Sequence, residues 1–345
     1  MGAVEAALGA HLAHEDVQDA EVDADVESSS TNKGDTDLEE SAADRSSNAE
    51  VNHENNNVAN DDADDDNNAK AQERKEAEGE DREEDQDGEP FTDPVLLFIH
   101  GLGVTGTFIW RKQIDILTQE YGMRVIAVDL RGHGASVPLA YHVDTLYELV
   151  EDCIAVLDDA KVKKAVWCGS GLGSRIALRA GLAFPDRTAA LVLLGSQARA
   201  ATWGEVAVNS ILCTFAQQCG FNMVRNVLER QLITAEFETS HPEESTAFRE
   251  NVNAQDPEAI LAMVTPLNKR SDISEELQDL DIPTLILHGE MDRIISYTDA
   301  KAMADTLPDT EIVVLSGVGH LLSLEAPRDV AEEIHGFVDA RLISS

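Results

Sequence analysis

Five short stretches hold the residue types capable of chemistry. His100-Gly101 follows the apolar run VLLFI, and Asp129-Leu130-Arg131-Gly132-His133-Gly134 follows RVIAV. Gly169-Ser170-Gly171-Leu172-Gly173 follows AVWC, while Asp292 lies in HGEMDRIIS and His320 in SGVGHLLSLEAP. Histidine and aspartate can move and steer protons at neutral pH, and a hydroxyl or a water beside them can be made nucleophilic. Glycine-rich turns let a backbone come close to a ligand or to another strand. In an open α/β sheet, ligands bind beyond the carboxyl ends of the strands, which is where these stretches fall.

The elements that must hold them begin at Val95. Short β-branched runs alternate with amphipathic stretches from there on, which is the pattern of a parallel sheet with crossover helices. Strands are expected at 95–99, 124–130, 165–168, 190–195, 283–289 and 311–317. A helix after the first strand carries Ile109, Ile114 and Leu117 on one face. Residues 144–160 form another, with an apolar stripe of Leu146, Leu149, Val150, Cys153, Ile154 and Leu157. A third runs from Leu172 to Phe184, where Pro185 stops it, and a last one spans Ala326 to Leu342. Ser196 to Leu280 shows helical patches and no strand pattern, so it reads as a helical insertion placed as a lid.

Composition divides the chain. It has 345 residues and a formal charge of −40. Residues 1–90 hold 30 acidic and 6 basic residues with no aromatic, including the runs DDADDDNN and NHENNNVAN. Such a segment buries too little apolar surface to offset the entropy of ordering it, and is expected to be a disordered acidic tail. The organisation expected is therefore tail 1–90, core 91–196, lid 197–280 and core 281–345. The charge argues against nucleic-acid and membrane partners, since phosphate binding needs clustered Lys and Arg. A basic protein partner suits the tail. Cys153, Cys168, Cys213 and Cys219 match no zinc spacing and are too few for a disulfide framework, which suggests reduced thiols in a cytoplasmic protein. The N-terminus lacks the basic and apolar regions of a secretory signal, and no apolar run reaches the roughly 18 residues of a spanning helix. No phosphate loop or ligand cluster calls for a cofactor or metal.

Taken in order and spacing, the motifs resemble the α/β-hydrolase superfamily over residues 94–343, in its lidded branch of enol-lactonases, carboxylesterases, C–C bond hydrolases and prolyl iminopeptidases. The resemblance implies an α/β-hydrolase fold: a mostly parallel sheet flanked by helices, with a helical lid. It implies Asp292 as the acid that orients a base and His320 as that base. It implies an oxyanion hole from the backbone N–H groups of Leu102 and Leu172, a pocket loop at His100 and Gly101, and a packing role for Trp110. The substrate implied is a small carboxylic ester or lactone, and the lid from Asn253 onward is most similar to the enol-lactonase type. The acid-rich composition argues against an anionic substrate.

Two features depart from the family pattern. Where members carry G-x-S-x-G, this chain reads G-S-G-L-G, and the ungapped helix after it puts Gly171 in the nucleophile slot. Ser170 falls one place early and stands as a candidate displaced nucleophile; Ser174 falls inside the helix start. The stretch AEGEDREEDQDGEPFTDP also offers no pattern for the family's first two strands, so either the sheet begins late and leaves RVIAV as an edge, or the sequence has lost an exon that would supply them. Three readings stay open: a working ester or lactone hydrolase using Ser170 or a water activated by His320, a silent relative that binds a ligand or partner in the same pocket, and a scaffold whose tail recruits basic partners.

Overall fold

The computed structural model describes residues 94–136 and 143–344. The tail expected over 1–90 lies outside the described residues.

Six strands form one parallel sheet: β1 (Val95–Ile99), β2 (Arg124–Val128), β3 (Ala165–Ser170), β4 (Thr188–Leu194), β5 (Thr284–Gly289) and β6 (Thr310–Leu315), in the spatial order β2-β1-β3-β4-β5-β6. Both faces are covered, so the central strands are apolar throughout rather than alternating. Their side chains divide by the period of two. Leu97, Ile99, Trp167, Leu191, Leu193 and Ile286 belong to one core, and Leu96, Phe98, Val166, Cys168, Val192 and Leu194 to the other. Helices α3 (Leu146–Asp159) and α4 (Leu172–Ala183) cover the first face through the stripe Leu149, Val150, Cys153, Leu157 and through Ile176 and Ala177. Helices α1 (Gly106–Ile109), α2 (Arg111–Gln119) and α12 (Pro327–Val338) cover the second through Ile109, Leu117, Val330 and Ile334. Trp110 is fully buried and stacks on Phe98 with ring centroids 4.6 Å apart. Among the described residues, β2 and β6 are the edges, and both are half-exposed.

The sheet is the α/β-hydrolase architecture expected from the motifs. One local difference matters for the site. The third strand continues past Cys168, because Gly169 and Ser170 pair with Leu193 and Leu194 of β4. The ladder overrides the low strand propensity of glycine and serine.

Between β4 and β5 stand five helices: α5 (Trp203–Cys219), α6 (Phe221–Leu232), α7 (Ala235–Ser240), α8 (Pro242–Asn253) and α9 (Pro257–Asn268). Capping boxes or side-chain caps from Thr202, Thr234 and Asp256 start α5, α7 and α9. The end of α8 is tied to the sheet loops: Asn251 Oδ1 accepts the Thr105 N–H at 3.1 Å, and Gln255 Oε1 accepts the Gly134 N–H at 2.9 Å. Helix α10 (Tyr297–Thr306) links β5 to β6, and the short α11 (Leu322–Glu325) precedes α12.

Candidate active site

The chain leaves β1 for β2 on one side and reaches β3 on the other, so β1 and β3 border the crevice where ligands bind in such sheets. β3 ends in a sharp turn into α4. Gly171 forms its apex with φ 56° and ψ −106°, a conformation that costs a residue with a side chain on the order of 1–3 kcal/mol. The close approaches fix the register. A Cβ on Gly169 would lie 2.2 Å from Gly173 O, and one on Gly173 would lie 2.2 Å from Ile99 O. The two positions that tolerate only glycine therefore stand two residues either side of Gly171. An elbow centred on Ser170 would instead place Cys168 and Leu172 there.

A Cβ built on Gly171 would point at His320, 3.3 Å from Nε2, with Gly101 Cα next nearest at 3.9 Å. Ser170 does not meet the imidazole. It is the last residue of β3, on the same face as Val166 and Cys168, and its Oγ is buried without a hydrogen-bond partner. Ser174 donates its Oγ–H to Gly171 O at 2.7 Å and so braces the first turn of α4.

His320 follows β6 and Asp292 follows β5. Their side chains meet with His320 Nδ1 2.8 Å from Asp292 Oδ2, both nearly or fully buried. With the Nδ1 proton in that bond, Nε2 turns its lone pair toward Gly171. Asp292 Oδ1 accepts the N–H groups of Ile294 at 2.7 Å and Ile295 at 3.0 Å. Burial opposes ionisation of this carboxyl; the His320 ring and the two N–H groups outweigh it and hold the carboxyl below the usual range. Gly195, at the end of β4, makes the approach possible. At φ 54°, a Cβ there would lie 2.8 Å from His320 Cε1 and 2.9 Å from Nδ1.

Leu102 lies in the loop after β1, and Leu172 opens α4, where its N–H has no acceptor one turn back. Both border the same cavity as Gly171 and His320. The neighbouring Gly103 N–H is committed elsewhere, donating to His133 Nε2 at 3.0 Å. His100 supports this loop from beneath and does not line the cavity. Its Nε2 accepts the Leu130 N–H at 2.9 Å, and its Nδ1 stands 2.6 Å from Gly101 O. Burial, with His133 beside it, pushes His100 down to about 3, so it is neutral.

The cavity encloses about 290 Å³ between the β3–α4 turn, the loop after β1 and leucines of the inserted helices such as Leu212, Leu228 and Leu267. Its wall also holds an ionic network that the sequence reading overlooked. Glu205 accepts from Arg199 Nη1 at 3.0 Å and from Arg270 Nη2 at 2.9 Å, and Asp299 accepts from Arg199 Nε at 2.9 Å. Burial works against ionisation of Glu205, but Arg199 and the capping N–H of Thr202 bring it down to about 2. Arg175, one turn after the elbow, stands beside this network. The signal that could have exposed it was an arginine in a helix of apolar and small residues, GLGSRIALRAG. Among the described residues, no group of three or more His, Cys, Asp or Glu side chains converges to hold a metal ion. No described helix is long and apolar enough to cross a membrane.

Comparison with known proteins places these features in context. A family model described as serine aminopeptidase, S33, matches residues 92–327. Pimeloyl-[acyl-carrier protein] methyl ester esterase from Vibrio atlanticus is 26% identical over 236 residues, which is 66% of this chain and 87% of that protein. 3-Oxoadipate enol-lactonase 1 from Acinetobacter baylyi is 26% identical over 249 residues, 72% of this chain and 90% of that protein. Among solved structures, a thermophilic esterase from Thermogutta terrifontis superposes with a TM-score of 0.68 at 26% identity, covering 73% of this chain and 91% of its own.

Proposed function

The chain belongs to the serine aminopeptidase S33 family of the α/β-hydrolase superfamily, and from that premise we propose that its pocket takes a small carboxylic ester or lactone and forms no covalent intermediate with it. One observation carries the reading: the elbow presents a bare Cα, with the place of a Cβ 3.3 Å from His320 Nε2, while Ser170 Oγ has no partner. The acid and base are nonetheless joined. The step left to them is general-base catalysis. His320 Nε2 takes a proton from a water, whose oxygen attacks the carbonyl carbon. The N–H groups of Leu102 and Leu172 hold the resulting oxyanion. Collapse breaks the bond to the leaving alkoxide, which takes the proton back from His320. Without a serine the rate is modest: loss of the nucleophile costs roughly 10⁶ in a well-studied protease, leaving about 10³–10⁴ over water.

Hydrolysis of short nitrophenyl esters by purified protein tests this. We expect no burst, no labelling by a fluorophosphonate probe and no effect of Ser170→Ala. His320→Ala should slow turnover by about 10²-fold or more. Labelling, or a loss with Ser170→Ala, would establish a serine nucleophile and defeat the proposal. A second reading, a silent binding protein, draws on the same bare elbow; it holds if His320→Ala turns over ester no more slowly than the parent while ligand still binds. We also assign the protein to the cytoplasm, in keeping with four unbridged cysteines; finding it in secretory compartments by imaging would contradict this.

A further inference from the structure

The charge of the cavity wall runs against that of the chain. The sequence as a whole carries −40, which argues against an anionic ligand. Yet the cavity is lined by four arginines, Arg175, Arg225, Arg270 and Arg293, and by two glutamates, Glu205 and Glu229. Much of this is compensated on the spot. Glu229 pairs with Arg225 and Arg249, each at 3.1 Å. Glu205 and Asp299 are taken up by Arg199 and Arg270.

Arg293 is exposed and gives Nη1 to Arg230 O at 3.3 Å, whereas Arg175 is buried. It is only 8% exposed, and no carboxylate hydrogen-bonds to it among the described residues. Its Nε is buried with no partner at all. The acceptor it does have is neutral: with the Gln197 amide turned to suit its neighbours, that oxygen receives Arg270 Nη2 at 2.8 Å and Arg175 Nη2 at 3.3 Å. Three guanidiniums, those of Arg175, Arg199 and Arg270, thus share two carboxylates, and the one left over is the one at the cavity wall beside the elbow. Burial, and then the charge of Arg270, lower Arg175 to about 9, and the nearby Glu205 offsets this only in part. A buried cation without a counter-charge is unfavourable, and an anion brought to it removes the penalty. A planar guanidinium suits a carboxylate in particular.

We propose that Arg175 forms an anion subsite of this pocket, so that the ligand carries a carboxylate in addition to its ester or lactone carbonyl. The inference rests on the pocket reading above and narrows it to compact acidic esters or lactones. The volume, near the low end for small-molecule sites, agrees with a short chain between the two groups.

Calorimetric titration of the full chain with monomethyl glutarate, an anion, and dimethyl glutarate, its neutral counterpart, tests it. The anion should bind roughly ten- to a hundredfold more tightly, the range expected of a charge-assisted hydrogen bond. Arg175→Gln should erase that preference with little change for the neutral ester, and Arg175→Lys should keep part of it. Equal binding of the two esters by the parent overturns the inference and leaves the pocket reading standing, as does a preference that survives Arg175→Gln. Because the parent comparison alone decides the sign, a poorly folded variant does not shield the idea. Binding of neither ester at millimolar concentration refutes the pocket reading and the inference with it.

Discussion

Gly171→Ser is the substitution in which the geometry commits itself most. The new Cβ would lie 3.3 Å from His320 Nε2 and 3.9 Å from Gly101 Cα, so the imidazole needs to yield only by tenths of an ångström. No backbone stands in the way, in contrast to the 2.2 Å approaches at Gly169 and Gly173. One bond further on, the hydroxyl comes within reach of Nε2, whose partner nitrogen is already held by Asp292 at 2.8 Å. The cost is conformational. A serine at φ 56° and ψ −106° loses about 1–3 kcal/mol, which lowers the melting temperature by roughly 2–12 °C in a domain of this size. The gain is a nucleophile. An unrefined serine should recover part of the roughly 10⁶ at stake, giving about 10²–10³ over the parent on nitrophenyl esters. A burst of nitrophenol and stoichiometric fluorophosphonate labelling should appear together. Gly171→Ala imposes the same strain without a hydroxyl, and should melt like the serine variant yet stay unlabelled. A folded Gly171→Ser protein that neither labels nor gains rate would show that the elbow and His320 are not aligned as described.

Two other perturbations follow from the same geometry. Gly195→Ala puts a methyl group 2.8 Å from His320 Cε1, so the ring must turn out of line; labelling in the Gly171→Ser background should fall by about a hundredfold, and an undiminished rate would mean the base is not held there. His100 sets a pH dependence of stability. The unfolded residue binds a proton near 6.5, while the folded one stays neutral down to about 3, so the unfolded chain binds more protons across that window. Stability is therefore complete above pH 6.5 and declines as pH falls toward 3, by up to about 1.4 kcal/mol per pH unit for this one group. His100→Gln, which can still accept the Leu130 N–H, should flatten the slope of urea midpoints between about pH 7 and about pH 5; an unchanged slope would rule His100 out as its source.

How far the sequence reveals this molecule depends on where contrast exists. The stripe Leu146, Leu149, Val150, Cys153, Leu157 was readable because one face of α3 is buried and the other is wet. Helix α4 offers no such contrast: every residue from Leu172 to Gly181 is buried, so Arg175 carries no periodic mark to set it apart. The order of motifs at strand ends was legible, since each ends an apolar run. The end of β3 was not, because Gly169 and Ser170 are held in the strand by their partners on β4 rather than by their own preference. Gly195 reads as an ordinary strand terminus, and only the position of a residue 125 places further along shows why a side chain cannot stand there.

The carboxamides of Asn251 and Gln255 also tie the inserted helices to the sheet loops. Thr105 and Gly134 sit on loops leaving adjacent strands, and each gives its amide proton to the same segment at the end of α8. That segment works as a staple across β1 and β2. If the insertion lifts there to admit a guest, both amides are released in one event, so their exchange with deuterated solvent becomes a clock for opening, readable at two places by mass spectrometry or NMR.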